Sequence, residues 1–124
     1  MEIILLFVLF FVKHFLADYP LQTEYMLRKS RAYGWKVPLL MHCLVHATMT
    51  YLILVTVVAL GMFSVTWGTI LALVVVELLL HFVIDAWKAQ LCKSPPTKPA
   101  FWIALGADQL FHYLTYALIV LLII

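Results

Sequence analysis

The chain has 124 residues, of which 66% are hydrophobic and 11% charged, and its formal net charge is +2. Soluble domains are closer to half apolar and a quarter charged, so this composition excludes an ordinary soluble globular domain. The small net charge does not indicate nucleic-acid binding, and we expect no nucleic-acid partner. Lipid requires backbone hydrogen bonds to be satisfied within the protein, and the apolar runs are far too long for barrel strands, so we predict an all-α integral membrane protein.

Four segments approach the roughly 20 apolar residues that a membrane-spanning helix requires. Lys13 lies within the first segment, and we expect its side chain to snorkel towards the cytosolic headgroups. Pro38 suits the first turn of the second segment, and the run Ser94–Pro99 separates the third from the fourth. We therefore predict a four-transmembrane-helix bundle that forms one integral membrane domain over residues 1–124. Its predicted helices are Ile3–Tyr19, Pro38–Leu60, Val65–Trp87 and Ala100–Ile124.

The basic residues predict how these helices cross the membrane. Lysine and arginine concentrate in the connection between the first two segments and in the connection between the last two, whereas the turn Gly61–Gly68 has no charge. Short cytoplasmic loops collect such residues. We therefore predict a multi-pass protein of the inner (cytoplasmic) membrane, with both basic loops in the cytosol and both termini outside. Cys43 and Cys92 would face the reducing side, so we expect no disulfide.

Every histidine and every aspartate belongs to a pair of residues four positions apart, with one pair in each predicted helix. Residues i and i+4 lie on one face of a helix. Ionisable side chains inside a membrane are costly and usually face a bundle interior, where they serve a function. The pairs are His14/Asp18, His42/His46, His81/Asp85 and Asp108/His112.

The alternating direction of the predicted helices sorts these residues into two layers. The deeper layer is His14, His46, His81 and His112. The layer nearer the cytosol, by one turn or about 5.4 Å, is Asp18, His42, Asp85 and Asp108. The similar intervals from His14 to His46 and from His81 to His112 indicate two tandem hairpins, related by an axis along the membrane normal.

Imidazole and carboxylate groups together suit zinc, iron or manganese, and helical bundles commonly build metal sites from facing side chains. The eight paired residues are more than one metal ion can take as ligands. They suit two ions, or one ion whose histidines are oriented by carboxylates. We expect one or two divalent transition metal ions, with zinc favoured over iron and manganese. The alternatives are a metal-free hydrogen-bonded network that holds the helices together, and a haem site, to which the aspartates are poorly suited.

Glu77 lies four residues before His81 and one turn deeper in the predicted membrane. It is suited to act as a general base or proton shuttle beside a metal-bound water, and we predict it as the catalytic residue. The alternative is a protonated glutamic acid bonded to a neighbouring helix. Three polar residues adjoin the pairs and are candidates to bond the ligands or a substrate headgroup: Gln22, Lys88 and Gln109. Two residues at the depth of Glu77 are candidates to line a substrate pocket: Thr50 and Tyr116.

The stretches "HFLADYPLQ", "HCLVH", "HFVIDAWK" and "DQLFHY" occur in this order. They resemble the DUF3307 family of small bacterial and phage membrane proteins. The resemblance covers nearly all of the chain and rests on the patterns H-x3-D-x3-Q, H-x3-H, H-x3-D-x2-K and D-Q-x2-H. It supports the site without identifying a reaction, because the function of the family is unknown. The residues it marks are His14, Asp18, Gln22, His42, His46, His81, Asp85, Lys88, Asp108, Gln109 and His112.

Three hypotheses for function follow from these patterns. The first is a membrane-embedded metal-dependent hydrolase, acting on a lipid or amphiphile that enters from the cytosolic leaflet. The second is a non-catalytic membrane interaction protein with a structural metal or polar core, which binds a larger membrane protein or forms a homo-oligomer. The third is a conduit for metal ions or protons. An enzyme requires an open coordination position, a structural site is closed, and a conduit requires polar groups across the whole membrane.

Overall fold

The computed structural model describes residues 1–124, which form helices and no strands. The all-α prediction is therefore confirmed. The first basic connection contains more structure than its polar sequence indicates, because it folds into a short helix followed by a 3-10 turn. The helices are α1 (Glu2–Asp18), α2 (Glu24–Leu27), α3 (Lys36–Ala59), α4 (Trp67–Leu91) and α5 (Pro99–Ile123), and the 3-10 turn is Arg28–Ser30.

Local sequence explains where the long helices begin and end. α1 ends two residues before Pro20, which has no backbone N–H to continue the helical hydrogen bonds. α3 is followed by Gly61, whose φ of +72° lies in the left-handed region that favours glycine. The side chain of Thr66 caps α4 by accepting a hydrogen bond from the backbone N–H of Thr69 at 3.1 Å. Pro99 begins α5, where its missing N–H costs no helical hydrogen bond.

Three helices are long and apolar enough to cross a membrane: α3, α4 and α5. Their outward faces carry large exposed apolar side chains, such as Ile103, Leu121 and Val83. Extensive exposed apolar surface of this kind marks a face that contacts lipid or protein. The length and composition of these helices thus indicate a membrane protein. α1 has 17 residues and is the shortest of the four long helices.

The four long helices contact one another in a closed order, because α1 and α4 each pack against both α3 and α5. Apolar side chains fill the end where the chain begins and finishes. This cluster is Leu6, Phe10, Leu54, Val57, Ile70, Leu73, Tyr116, Ile119, Val120 and Ile123. The buried histidines and aspartates lie towards the opposite end, where the two basic connections run.

A hydrogen-bonded contact holds the first basic connection against the helices. The side-chain amide of Gln90 on α4 donates to the backbone carbonyls of Lys29 at 2.6 Å and Arg31 at 3.1 Å. The 3-10 turn also contacts α3 and α4. These contacts place the side chain of Lys29 over the polar end of the helices.

Candidate metal centre

All five histidines are buried, with exposed fractions of 3% or less. Their rings pack against one another between the four long helices. The ring of His81 is central: its centroid lies 3.9 Å from that of His46, 4.1 Å from that of His112 and 5.3 Å from that of His42. The four-residue spacing brings each helix's polar residues to the interior, and the helix packing brings the four pairs together.

Aspartates bond histidines across each hairpin in matching ways. In the first hairpin, Asp18 Oδ1 lies 3.1 Å from Nε2 of His46. In the second hairpin, Asp85 Oδ1 lies 3.1 Å from Nε2 of His112. The two halves of the site therefore repeat one carboxylate–imidazole contact between the same atoms at the same distance.

Several buried imidazole nitrogens have no hydrogen-bond partner. These include both ring nitrogens of His42 and of His81, together with Nδ1 of His46. His42 Nε2 lies 3.4 Å from Asp18 Oδ1 and 3.5 Å from Asp85 Oδ2, without the geometry of a hydrogen bond. Buried polar atoms are normally paired. Unpaired imidazole nitrogens that face carboxylates are the arrangement that a bound cation would satisfy.

Two groups of side chains could hold a metal ion. Within each group the ligand atoms lie within 4.8 Å of one another. The first group is Asp18, His42, His46 and His81, and the second is His81, Asp85 and His112. Four ligands can close a tetrahedral zinc site, whereas three leave a coordination position open, as in catalytic zinc sites. His81 belongs to both groups, so two ions could be held together only if each of its ring nitrogens served a different ion.

His14 belongs to neither group, because both of its ring nitrogens already have partners. Its Nε2 lies 3.1 Å from Gln109 Oε1 and 3.1 Å from Asp18 Oδ2, and its Nδ1 lies 2.8 Å from the hydroxyl of Tyr116. The amide oxygen of Gln109 and the carboxylate oxygen of Asp18 accept hydrogen bonds. Nε2 of His14 therefore carries the proton, and Nδ1 accepts a hydrogen bond from the Tyr116 hydroxyl. This arrangement orients His14 without leaving a nitrogen free for a metal.

Asp108 also lies beside the groups. Its Oδ1 is 3.6 Å from His112 Nε2 and has no hydrogen-bond partner, while its Oδ2 accepts from the amide of Gln109 at 3.1 Å. The structure thus brings all eight paired residues together. Six of them form the two metal-binding groups, and His14 and Asp108 contact those groups from the side.

A partly open cavity of about 540 Å³ adjoins the site at the end of the helices that carries the basic connections. Asp18, Asp85 and Asp108 line it, whereas no histidine does. The aspartates therefore lie between the packed imidazoles and the cavity.

The three flanking polar residues differ in what they contact, although each lines this cavity. Gln22 donates to the backbone carbonyl of Asp18 at 2.7 Å and so supports the end of α1 rather than a ligand side chain. Gln109 bonds two of the paired residues, as described above. Lys88 Nζ is 4.0 Å from Asp108 Oδ2, an ion pair without a hydrogen bond.

The expectation for Lys13 is wrong. Its side chain does not reach the headgroups: the residue is 2% exposed and forms an ion pair with Glu77. The physical reason is that Glu77 is itself buried, and pairing satisfies both charges where lipid could satisfy neither. Lys13 Nζ also lies 3.2 Å from the Tyr116 hydroxyl, which connects this pair to His14. The second oxygen of Glu77, Oε2, has no hydrogen-bond partner.

Lys29 is a site residue that the sequence pattern does not reveal. In the sequence it contributes only to the basic character of a loop, but in the structure its Nζ donates to Asp85 Oδ2 at 2.6 Å. The contact depends on the 3-10 turn and on its attachment to Gln90. No spacing rule connects a loop lysine with an aspartate 56 residues away.

The fold and the site define a class of protein: a small all-α membrane protein with buried His/Asp groups that could hold a metal ion. The chain belongs to the family described as "Protein of unknown function (DUF3307)", whose match covers residues 6–124. The resemblance seen in the motifs is therefore confirmed over nearly the whole chain. No curated protein and no solved structure matches the chain.

Proposed function

We propose that the protein is a membrane-embedded metalloprotein, with its His/Asp centre in the cytosolic half of a bundle of four transmembrane helices. One observation carries the proposal: imidazole nitrogens that are fully buried and unpaired face carboxylates in two groups of ligand size. A metal-free network would be expected to pair these nitrogens, because an unmet buried hydrogen bond costs roughly 1–3 kcal/mol.

The proposed topology includes α1 as the fourth span. Its 17 residues extend about 26 Å at 1.5 Å per residue, and a bilayer can thin locally to match a helix that is slightly short. The ion pair with Glu77 also removes Lys13 as an obstacle to insertion. The positive-inside rule supports cytosolic basic loops and external termini.

The metal we propose is zinc, with iron or manganese as the alternatives, because imidazole and carboxylate ligands suit all three. The first group can supply a closed four-ligand site and the second an open three-ligand site. One or two ions are therefore consistent with the ligand sets.

The reaction we propose is hydrolysis of a lipid or amphiphile that enters the cavity from the cytosolic leaflet. A bound divalent metal would supply a Lewis acid and lower the pKa of a water ligand from 15.7 to about 7. In the reaction the water oxygen would add to the substrate's acyl or phosphoryl centre while the base takes a proton from the water. The bond to the alcohol oxygen would then break, and the departing alkoxide would take that proton back from the base. Glu77 is the proposed base, since its Oε2 is free to accept the proton and its partner Lys13 is linked through Tyr116 to His14.

A second candidate function is favoured by the four-ligand group. If a metal fills only that group, the site is closed and the metal is structural. The protein would then act as a non-catalytic interaction module, using its apolar outer faces to bind lipid, a larger membrane protein or a second copy of itself. A conduit is disfavoured by the apolar cluster that fills the opposite end of the helices.

The first experiment is metal analysis of the full chain purified in detergent, by inductively coupled plasma mass spectrometry. We expect at least one zinc, iron or manganese ion per chain, and a substantial loss in His81→Ala, which removes a ligand from both groups. Gln22→Ala is the matched control, because its amide bonds only a backbone carbonyl. A metal content near zero in the wild-type protein would refute the metal centre.

Activity is then measured on fluorogenic umbelliferyl esters and phosphate esters that carry a long alkyl chain. We expect release of the fluorophore that depends on metal and is lost in His81→Ala. A protein with full metal content that hydrolyses neither class would favour the structural role over the enzyme.

A further inference from the structure

The cavity beside the His/Asp groups has the size and charge of a small-molecule site. Its volume of about 540 Å³ falls within the roughly 300–1,000 Å³ typical of such sites. Three aspartates and three lysines line it. The lysines come from three places in the chain: Lys29 from the 3-10 turn, Lys88 from α4, and Lys93 from the connection that follows.

The charges of these lining residues balance, so any bound divalent cation makes the cavity positive. Lys29 is bonded to Asp85, and Lys88 lies 4.0 Å from Asp108. Lys93 is exposed and has no carboxylate partner. Each divalent ion on the ligand groups would add two positive charges next to these ammonium groups. A cleft of one sign concentrates ligands of the opposite sign, so the metal-loaded cavity favours an anion.

The donors around the cavity suit a phosphate group. Lysine ammonium groups bind phosphate as point charges, and the hydroxyls of Ser30 and Ser94 also line the cavity. A metal ion with an open position can accept a phosphoryl oxygen. No arginine lines the cavity, so ammonium and hydroxyl groups supply its contacts to an anion.

One wall of the cavity is apolar and leads to the outer surface of the helices. Phe101 and Leu105 on α5 line it, and the neighbouring Trp102 and Ile103 are 60% and 71% exposed. A ligand whose phosphate lies among the lysines could therefore extend an apolar chain along α5. Charged side chains in the cavity, together with an apolar wall beside them, fit an amphiphile.

We propose that the cavity binds the phosphate-bearing headgroup of an amphiphile, with Lys88 and Lys93 contacting the phosphate and the α5 wall contacting the start of the apolar chain. This inference rests on the proposed metal centre for its excess positive charge, and it narrows the substrate of that centre to a phosphate ester. Lys29 is not assigned this contact, because it is held by Asp85.

The test is calorimetric titration of inorganic phosphate into the zinc-loaded full chain, reconstituted in phosphatidylcholine nanodiscs. We expect saturable binding, and a dissociation constant about 100-fold weaker in Lys88→Met/Lys93→Met, since a contact with a charged donor is worth about tenfold or more. Methionine keeps an unbranched apolar stem of similar reach. The matched control is Lys98→Met, which removes an exposed lysine that does not line the cavity. Equal binding by the double variant and the wild type, or an equal loss in the control, would overturn the inference.

A second arm identifies the source of the phosphate. If the ligand is a lipid headgroup, including phosphatidic acid in the nanodisc will compete with inorganic phosphate and weaken its apparent affinity. If phosphatidic acid has no effect, the site takes soluble phosphate and the amphiphile is overturned. Zinc content is measured on the same samples. A chain that holds zinc but binds no phosphate overturns only this inference, whereas a chain that holds no zinc after loading overturns the metal centre and, with it, the excess positive charge on which this inference rests.

Discussion

The buried pair between Lys13 and Glu77 offers the sharpest test of how the interior of the protein is organised. The two residues are 2% and 1% exposed and bring opposite charges together from α1 and α4. Removing one partner of a buried pair typically costs about 3–5 kcal/mol, because the other charge stays buried without compensation. We therefore expect Lys13→Met and Glu77→Gln each to lose about that much free energy of unfolding.

The double variant Lys13→Met/Glu77→Gln distinguishes a coupled pair from two independent packing residues. The double variant leaves no uncompensated charge, so we expect it to lose less stability than either single variant. The assay is reversible unfolding in mixed micelles of a mild detergent and sodium dodecyl sulfate, followed by helical circular dichroism. Losses that simply add in the double variant would refute the coupling.

The same three variants separate the roles proposed for Glu77. If Glu77 is the general base, Glu77→Gln and the double variant should keep their metal and lose about 100-fold or more in turnover. Lys13→Met breaks the same ion pair but keeps the carboxylate, so it should retain more activity. If all three variants lose activity in proportion to their lost stability, the carboxylate has only a structural role.

Three further outcomes follow from the contacts of the site. Chelating the bound metal should lower the free energy of unfolding by about 2.7 kcal/mol, relative to protein in a free metal concentration 100 times the dissociation constant. The same unfolding assay measures this loss. Lys29→Met should raise zinc affinity severalfold in a competition titration with a chromophoric chelator, because the lysine ammonium competes with the metal for Asp85 Oδ2; unchanged affinity would exclude that competition. Tyr116→Phe should weaken the positioning of His14 while leaving zinc content unchanged, which a shift of the His14 ring signals in nuclear magnetic resonance would report.

The polar residues of the site can be predicted from the sequence because residues four positions apart share a helix face, however the helix is rotated in the structure. Whatever face of α4 turns inward, His81 and Asp85 turn with it. The apolar runs likewise indicate helices of about the right extent. α4 nevertheless continues to Leu91, one turn beyond the predicted end at Trp87, because nothing between them breaks a helix.

The remaining contacts depend on long side chains and on loops, where spacing carries little information. Lys13 could reach towards the headgroups or towards the interior, and only the position of Glu77 on another helix decides between them. Lys29 contacts Asp85 because a 3-10 turn and Gln90 hold its backbone in place. The polar connection contains no periodic pattern from which that turn could be predicted.

The two hairpins repeat one arrangement, and the places where they differ explain which histidine is free for a metal. His14 and His81 occupy equivalent positions, and so do Tyr116 and Thr50, each four residues after the last histidine of its hairpin. The hydroxyl of Tyr116 reaches His14 and occupies its Nδ1. Thr50 is shorter, its Oγ1 has no partner, and both nitrogens of His81 are left unpaired at the centre of the site. The Gln109 amide also occupies Nε2 of His14, whereas the equivalent position in the first hairpin is Cys43. Tyrosine against threonine and glutamine against cysteine thus make the centre asymmetric, with His14 held by its neighbours and His81 available to both metal-binding groups.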